Sequence, residues 1–232
     1  MKISCPGMVG GLGPASTVTY YQKIIEGFRE RTGDGSYPYM VINSVDMSSV
    51  LDCMERKDYD TLLRLLSTAV EKLKRAGAGF AFIASNTPHI VFPALKSASP
   101  IPLVSIVDAT VRNACMAKYK KVLLTGTLFT MENTFYSDAF DAEGIRCVVP
   151  DPHERLVIQN IIFPNLEDGI VDPVQKKTFI DICEQIIVKE KTDAVILGCT
   201  ELPMLVKPGE LSVPSIDTLE THVELILDTL FS

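Results

Sequence analysis

The chain has 232 residues, of which 47% are hydrophobic and 22% charged, and a formal net charge of −7. That balance excludes a disordered chain and gives ample core for one large domain or two ordinary ones. The acidic charge argues against a nucleic-acid partner, and no run of about 18 apolar residues offers a membrane-spanning helix.

Taken in chain order, strand and helix signals alternate. A strand at 3–9 runs into a glycine turn, Gly10-Gly11-Leu12-Gly13, and Pro14 reads as the first residue of a helix. The turn lacks the third glycine of a dinucleotide fingerprint, so it is not read as a nucleotide loop. The glycine loop also interrupts any secretory apolar segment by Gly10, and a soluble cytoplasmic protein is expected. A strand at 38–44 follows, then a helix with the stripe Leu62, Leu63, Leu66, Ala69, Val70 and Leu73. Lys72, Lys74 and Arg75 form the main basic cluster at the end of that helix, where cations suit the dipole. A strand at 80–84 leads into Ser85-Asn86-Thr87, and further strands are expected at 102–105, 121–125 and 145–149.

Asp151-Pro152-His153-Glu154, Asp172-Pro173-Val174-Gln175 and Asp217-Thr218-Leu219-Glu220 are each written as helix starts, an N-cap oxygen three residues before Glu or Gln. The first two introduce the stripes Ile158, Ile161, Ile162, Leu166 and Phe179, Ile182, Cys183, Ile186. A strand at 193–197 leads through Gly198 into Cys199-Thr200-Glu201, and one more strand is expected at 213–216. The last helix, 218–231, carries His222 and is expected to return to the first half. Short, nearly continuous apolar strands between amphipathic helices give an α/β fold with mainly parallel sheets.

The pattern occurs twice. Ser85 and Cys199 lie 114 positions apart, close to half the chain. Gly11 precedes Ser85 by 74 positions, and Gly126, ending the strand at 121–125, precedes Cys199 by 73. Two pseudo-symmetric lobes are expected, each a mainly parallel sheet flanked by helices, with a site at their interface. One lobe would comprise residues 1–98 plus 211–232 and the other 99–210, divided near Pro100-Ile101-Pro102.

Six cysteines, at 5, 53, 115, 147, 183 and 199, show no CxxC or Cys/His spacing, so thiols are expected and no metal site. Cys199 stands apart because it ends a strand, where ligands of α/β sheets bind. A short helix beginning beside it would favour the thiolate, as a nucleophile or a proton acceptor. Asn86, Thr87, Thr127, Thr130 and Thr200 supply donors suited to a substrate carboxylate, although each has an ordinary turn or cap reading. His89, His153 and His222 are expected to be structural, since none makes a defined catalytic pair.

Three segments carry a family resemblance: Gly10-Gly11-Leu12-Gly13-Pro14-Ala15-Ser16-Thr17, Ser85-Asn86-Thr87-Pro88-His89 and Gly198-Cys199-Thr200-Glu201-Leu202-Pro203. Through these the chain resembles the aspartate/glutamate racemases, the cofactor-independent amino-acid racemases, over essentially its whole length. Asp217-Thr218 with His222 downstream also fits. The Gly-Cys-Thr-Glu form is closer to aspartate-type members than to glutamate racemase, which has His at the Glu201 position. The resemblance implies a small amino acid as substrate, no pyridoxal phosphate or other cofactor, and a homodimer. It implies one thiol on each face of the substrate, and makes Cys199, Ser85 and Glu201 the catalytic candidates. Leu12 and Gly13 of the first loop join Asn86, Thr87, Thr127, Thr130 and Thr200 as substrate-binding candidates.

Two departures stand out. The first family cysteine falls on Ser85, whose hydroxyl is a far weaker acid than a thiol. Aspartate-type relatives often read the side-chain carboxylate with an arginine after the second strand and a lysine in the 160s. Here those regions read Asp46-Met47-Ser48-Ser49 and Asn165-Leu166-Glu167-Asp168, leaving Arg56, Arg112 or Arg155 to compensate. Three readings therefore stand: a racemase of acidic or broader specificity, a one-base lyase or isomerase such as a decarboxylase using Cys199 alone, and a non-catalytic sensor of small carboxylates.

Overall fold

The computed structural model describes residues 4–232. Its first elements are β1 (Pro6–Gly10), α1 (Pro14–Thr32), β2 (Val41–Ser44), α2 (Met47–Glu55), α3 (Tyr59–Arg75) and β3 (Phe80–Ile83). A tight helical turn (Thr87–Val91) leads into α4 (Phe92–Ala98), β4 (Leu103–Val104) and α5 (Ile106–Met116). Then come β5 (Lys121–Gly126), α6 (Leu128–Glu132), α7 (Phe135–Ala142), β6 (Arg146–Val148) and α8 (Pro152–Ile161). A wide turn (Ile162–Leu166), α9 (Pro173–Glu190), β7 (Ala194–Gly198), α10 (Leu202–Leu205), β8 (Ser215–Asp217) and α11 (Thr218–Leu230) complete the chain.

Every strand expected from the sequence has a counterpart. The first begins at Pro6 rather than at residue 3, which lies outside the described residues. The second begins only at Val41, because Pro38 has no N–H for a ladder and Tyr37 and Tyr39 stand out in solvent. The strands form two four-stranded sheets, ordered β2-β1-β3-β4 and β6-β5-β7-β8, and every pairing is parallel. The identical order is the duplication seen in the sequence.

The chain divides into two compact units, one running to Ile106 and taking in His222–Ser232, the other Val107–Thr221. Both boundaries fall later than the expected 98/99 and 210/211. The reason is pairing: β4 bonds to β3 and stays with the first sheet, while β8 bonds to β7 and stays with the second.

In the first unit α1 buries Ser16, Tyr20, Ile24 and Phe28, a four-residue spacing that lines one helix face. The end of α11 packs on it. Phe231 stacks on Phe28 at 5.2 Å, and Arg31 reaches Glu224 at 2.5 Å and Asp228 at 3.0 Å. His222 is wholly buried between Tyr20 and β4. Its Nε2 donates to the Val104 carbonyl at 3.2 Å, which leaves Nδ1 to accept from the Tyr20 hydroxyl at 2.8 Å.

The second unit centres on Ile158, Ile161, Ile162, Leu166, Phe179, Cys183, Val195 and Leu197. Its helix starts are as written in the sequence. Asp151 and Glu154 form a reciprocal capping box, Asp172 accepts from Val174 and Gln175, and Asp217 accepts from Leu219 and Glu220. All six cysteines are free. Among the described residues no helix is long and apolar enough to cross a membrane.

Candidate active site

In each sheet the strand order reverses between the two central strands, β1 and β3 in one, β5 and β7 in the other. At such a switch point the loops leaving neighbouring strands part, and a crevice opens beyond their carboxyl ends. The catalytic and substrate-binding candidates from the sequence all follow one of these four strands, most on the loop and Thr130 within α6.

In the first unit, Gly11 has φ 82°, and a Cβ there would strike the Val45 carbonyl and the Ser44 hydroxyl, so only glycine fits. The Gly11 N–H donates to Thr17 Oγ1 at 2.8 Å, and Ser16 Oγ donates to the Ala84 carbonyl at 3.2 Å. The first turn of α1 is thereby tied to the ends of both central strands. Leu12 and Gly13 are buried in this loop, and Gly13 is the N-cap of α1. After β3, Ser85 and Thr87 are half-buried and Asn86 is buried. The Asn86 carbonyl accepts from the His89 N–H at 3.0 Å.

His89 lies beneath this loop, 1% exposed. Its Nε2 accepts from the Ile106 N–H at 3.3 Å, so the proton sits on Nδ1, which has no partner in hydrogen-bond geometry. Burial pushes its pKa down to about 4, only partly offset by the backbone of Ser85 and Asn86.

In the second unit, Gly126 and Gly198 are paired across β5 and β7. A Cβ on Gly198 would come within 2.6 Å of the Thr125 carbonyl, and one on Gly126 within 2.9 Å of the Gly198 carbonyl. This contact sets the thiol-bearing residue directly at the strand end. Cys199 is 6% exposed, and its Sγ donates to Glu201 at 2.8 Å. The other oxygen of Glu201, itself 5% exposed, accepts from Thr200 Oγ1 at 2.8 Å. Thr127 caps α6, accepting from the Thr130 N–H, and the two hydroxyls meet at 3.1 Å. Thr130 is fully buried and so orients Thr127 from below.

The thiol is not the thiolate that the sequence led one to expect. Burial raises its pKa well above 9, and the Glu201 and Glu167 carboxylates raise it further. The backbone N–H of Glu201 works the other way but is outweighed. The four-residue α10 offers too little helix to reverse this. Cys199 at rest is therefore a proton donor held against a carboxylate acceptor.

A sequence profile of the Asp/Glu/hydantoin racemases matches residues 9–226. The chain belongs to that family. A broad specificity amino-acid racemase from Bacillus subtilis, RacX, is 24% identical over 215 residues, 91% of this chain and 92% of its own. An aspartate racemase homologue from Pyrococcus horikoshii superposes with a TM-score of 0.88 at 34% identity, covering 100% of both chains. A provisionally assigned Asp/Glu racemase from Yersinia pestis gives 0.93 at 29% identity, over 99% of this chain and 100% of its own.

As a racemase-family chain it has one feature that sequence reasoning passed over. Glu167, noted there only for the lysine it is not, brings its carboxylate to the thiol. Donor atoms of Glu167, Cys199 and Glu201 all lie within 4.8 Å of one another, the one such grouping of potential metal ligands among the described residues. No spacing rule could find it, because the wide turn Ile162–Leu166 swings a segment distant in sequence against α10. Burial, then Glu201 and Asp168, push the Glu167 pKa up to about 7. Of the arginines considered as compensating cations, Arg56 is paired with Asp52 in solvent and Arg155 donates to the Pro150 carbonyl at 2.7 Å.

Proposed function

We propose that this chain moves the α-proton of a free amino acid without pyridoxal phosphate, Cys199 serving one face of the α-carbon. The observation that carries the reading is the Cys199–Glu201 pair at 2.8 Å, at the end of a central strand in a member of a racemase family. Glu201 takes the thiol proton when substrate binds, leaving a thiolate that accepts the α-hydrogen; the thiol so formed exchanges its proton with solvent and returns one to the carbanion on the same face. Thr127, oriented by Thr130, and Thr200 are assigned to the α-carboxylate in the second unit, and Asn86, Thr87, Leu12 and Gly13 are the corresponding candidates in the first. The reading requires the Ser85 loop to meet the second face of the same α-carbon. A serine there is a slow relay, so exchange on the Cys199 face outpaces full inversion. The proposal includes a homodimer and cofactor-free chemistry, as the family resemblance implies.

The test is incubation of dialysed protein with L- and D-amino acids in deuterated water, followed by NMR and chiral chromatography. α-Deuteration of one enantiomer ahead of inversion supports the reading. No exchange with any amino acid, by this chain or by Ser85→Cys, would overturn it.

A second reading has its own support. A thiol held protonated beside a carboxylate suits delivery of a proton to a carbanion left by loss of carbon dioxide. Carbon dioxide release from a substituted malonate, with no amino-acid exchange, would favour that lyase over the racemase.

A further inference from the structure

Glu167 has no part in the proton transfer just described, yet its carboxylate lies within 4.8 Å of the Cys199 thiol. Cys199 must approach an α-carbon to roughly 3–3.5 Å if it is to exchange the proton. The groups on that carbon then reach the distance at which Glu167 stands. Glu201 is already engaged through both oxygens, with Cys199 and Thr200. Glu167 is half-buried and, among the described residues, its side chain has neither a hydrogen bond nor an ion pair. It is an acceptor near the chemistry with nothing to accept from.

A third carboxylate brought in on a substrate would be desolvated beside those of Glu167 and Glu201. A side chain with an ammonium, a guanidinium or another N–H donor would meet an unengaged acceptor. Resting on the racemase reading above, we infer that Glu167 selects the substrate side chain, favouring amino acids with a cationic or donor-bearing side chain over aspartate and glutamate.

The experiment measures α-hydrogen exchange in deuterated water for lysine, arginine, norleucine, glutamate and aspartate, with the intact protein and with Glu167→Gln and Glu167→Lys. Charge-assisted pairing is worth roughly ten- to a hundredfold in kcat/KM. Lysine should therefore exceed glutamate by at least about tenfold in the unaltered protein. Glu167→Gln should shrink the advantage of lysine over norleucine by a similar factor, and Glu167→Lys should turn the preference toward glutamate. A preference for glutamate in the unaltered protein overturns the inference. So does an equal loss for lysine, norleucine and glutamate in Glu167→Gln, which would put Glu167 on the α-ammonium common to all. If the variants do not fold, the panel on the unaltered protein decides. In each of these outcomes exchange occurs, so the racemase reading survives them; absence of exchange with every amino acid removes the reading and the inference together.

Discussion

In the proposed mechanism the buried Cys199 thiol and Glu201 carboxylate, 2.8 Å apart, act as one acid–base unit, with the proton resting on sulfur. Replacing either member should therefore have the same kind of effect. Cys199→Ser is expected to abolish α-hydrogen exchange, and Glu201→Gln to slow it by 10²–10⁴-fold, the range of a positioned general base. Exchange rates by NMR check both, and undiminished exchange in Glu201→Gln would make the thiol self-sufficient. The reciprocal change, Ser85→Cys, is expected to raise full inversion over a similar range while leaving the Cys199 face as fast as before. Chiral chromatography reads that difference directly.

The placing of Ser85 and Cys199 just beyond strand ends was legible in the sequence, because strand-end position and motif are local properties. Sequence reading misjudged the ionisation of Cys199, since the carboxylate of Glu167 arrives from another segment and burial is not written in a tripeptide. It took the 160s for a missing cation when they supply an anion, for the same reason.

At the scale of elements, most of the fold was legible, because parallel strands buried on both faces and capped helices leave strong local marks. The weaker points were the edges. Pro38 trims the second strand, and lobe membership of β4 and β8 depends on partners far along the chain. The capping box of α8 offers a clean test. Asp151→Ala removes the acceptor for the Glu154 N–H at 2.9 Å and should lower stability by about 1 kcal/mol, read from the urea midpoint. The paired glycines offer a sharper one. Gly198→Ala drives a methyl group toward the Thr125 carbonyl and should cost about 1–3 kcal/mol, with loss of activity out of proportion because Cys199 is the next residue. Full activity in a stably folded Gly198→Ala would show that the strand end tolerates the shift.

For the whole molecule, the buried histidines set an acid limit. Burial holds His89 at about 4, and burial together with His89 holds His222 at about 3. An unfolded histidine titrates near 6.5. Both are neutral in the fold, so their contribution is complete above about pH 6.5 and falls as pH drops toward 4 and 3, by about 1.4 kcal/mol per pH unit for each. Glu167, raised to about 7, acts in the opposite sense: its cost is largest above pH 7 and relaxes on acidification, offsetting roughly one histidine. The net expectation is stability declining below about pH 6 with a slope near one proton. Urea unfolding between pH 7 and 4.5 measures it. His222→Gln should flatten the slope and Glu167→Gln should steepen it; identical slopes in all three proteins would refute the assignment.

The placement of His222–Ser232 in the first unit has a consequence for how the protein is made. Tyr20, Phe28 and Arg31 have partners in His222, Phe231, Glu224 and Asp228, and the Ser4 N–H finds the Leu230 carbonyl at 3.1 Å. During translation the N-terminal half emerges first, with the face of α1 that α11 covers still bare. The second unit, continuous from Val107 to Thr221, is complete before that face is covered. The half synthesised first is thus the half that finishes folding last, and for that interval its exposed Tyr20–Phe28 face is the part of the nascent chain most in need of a chaperone.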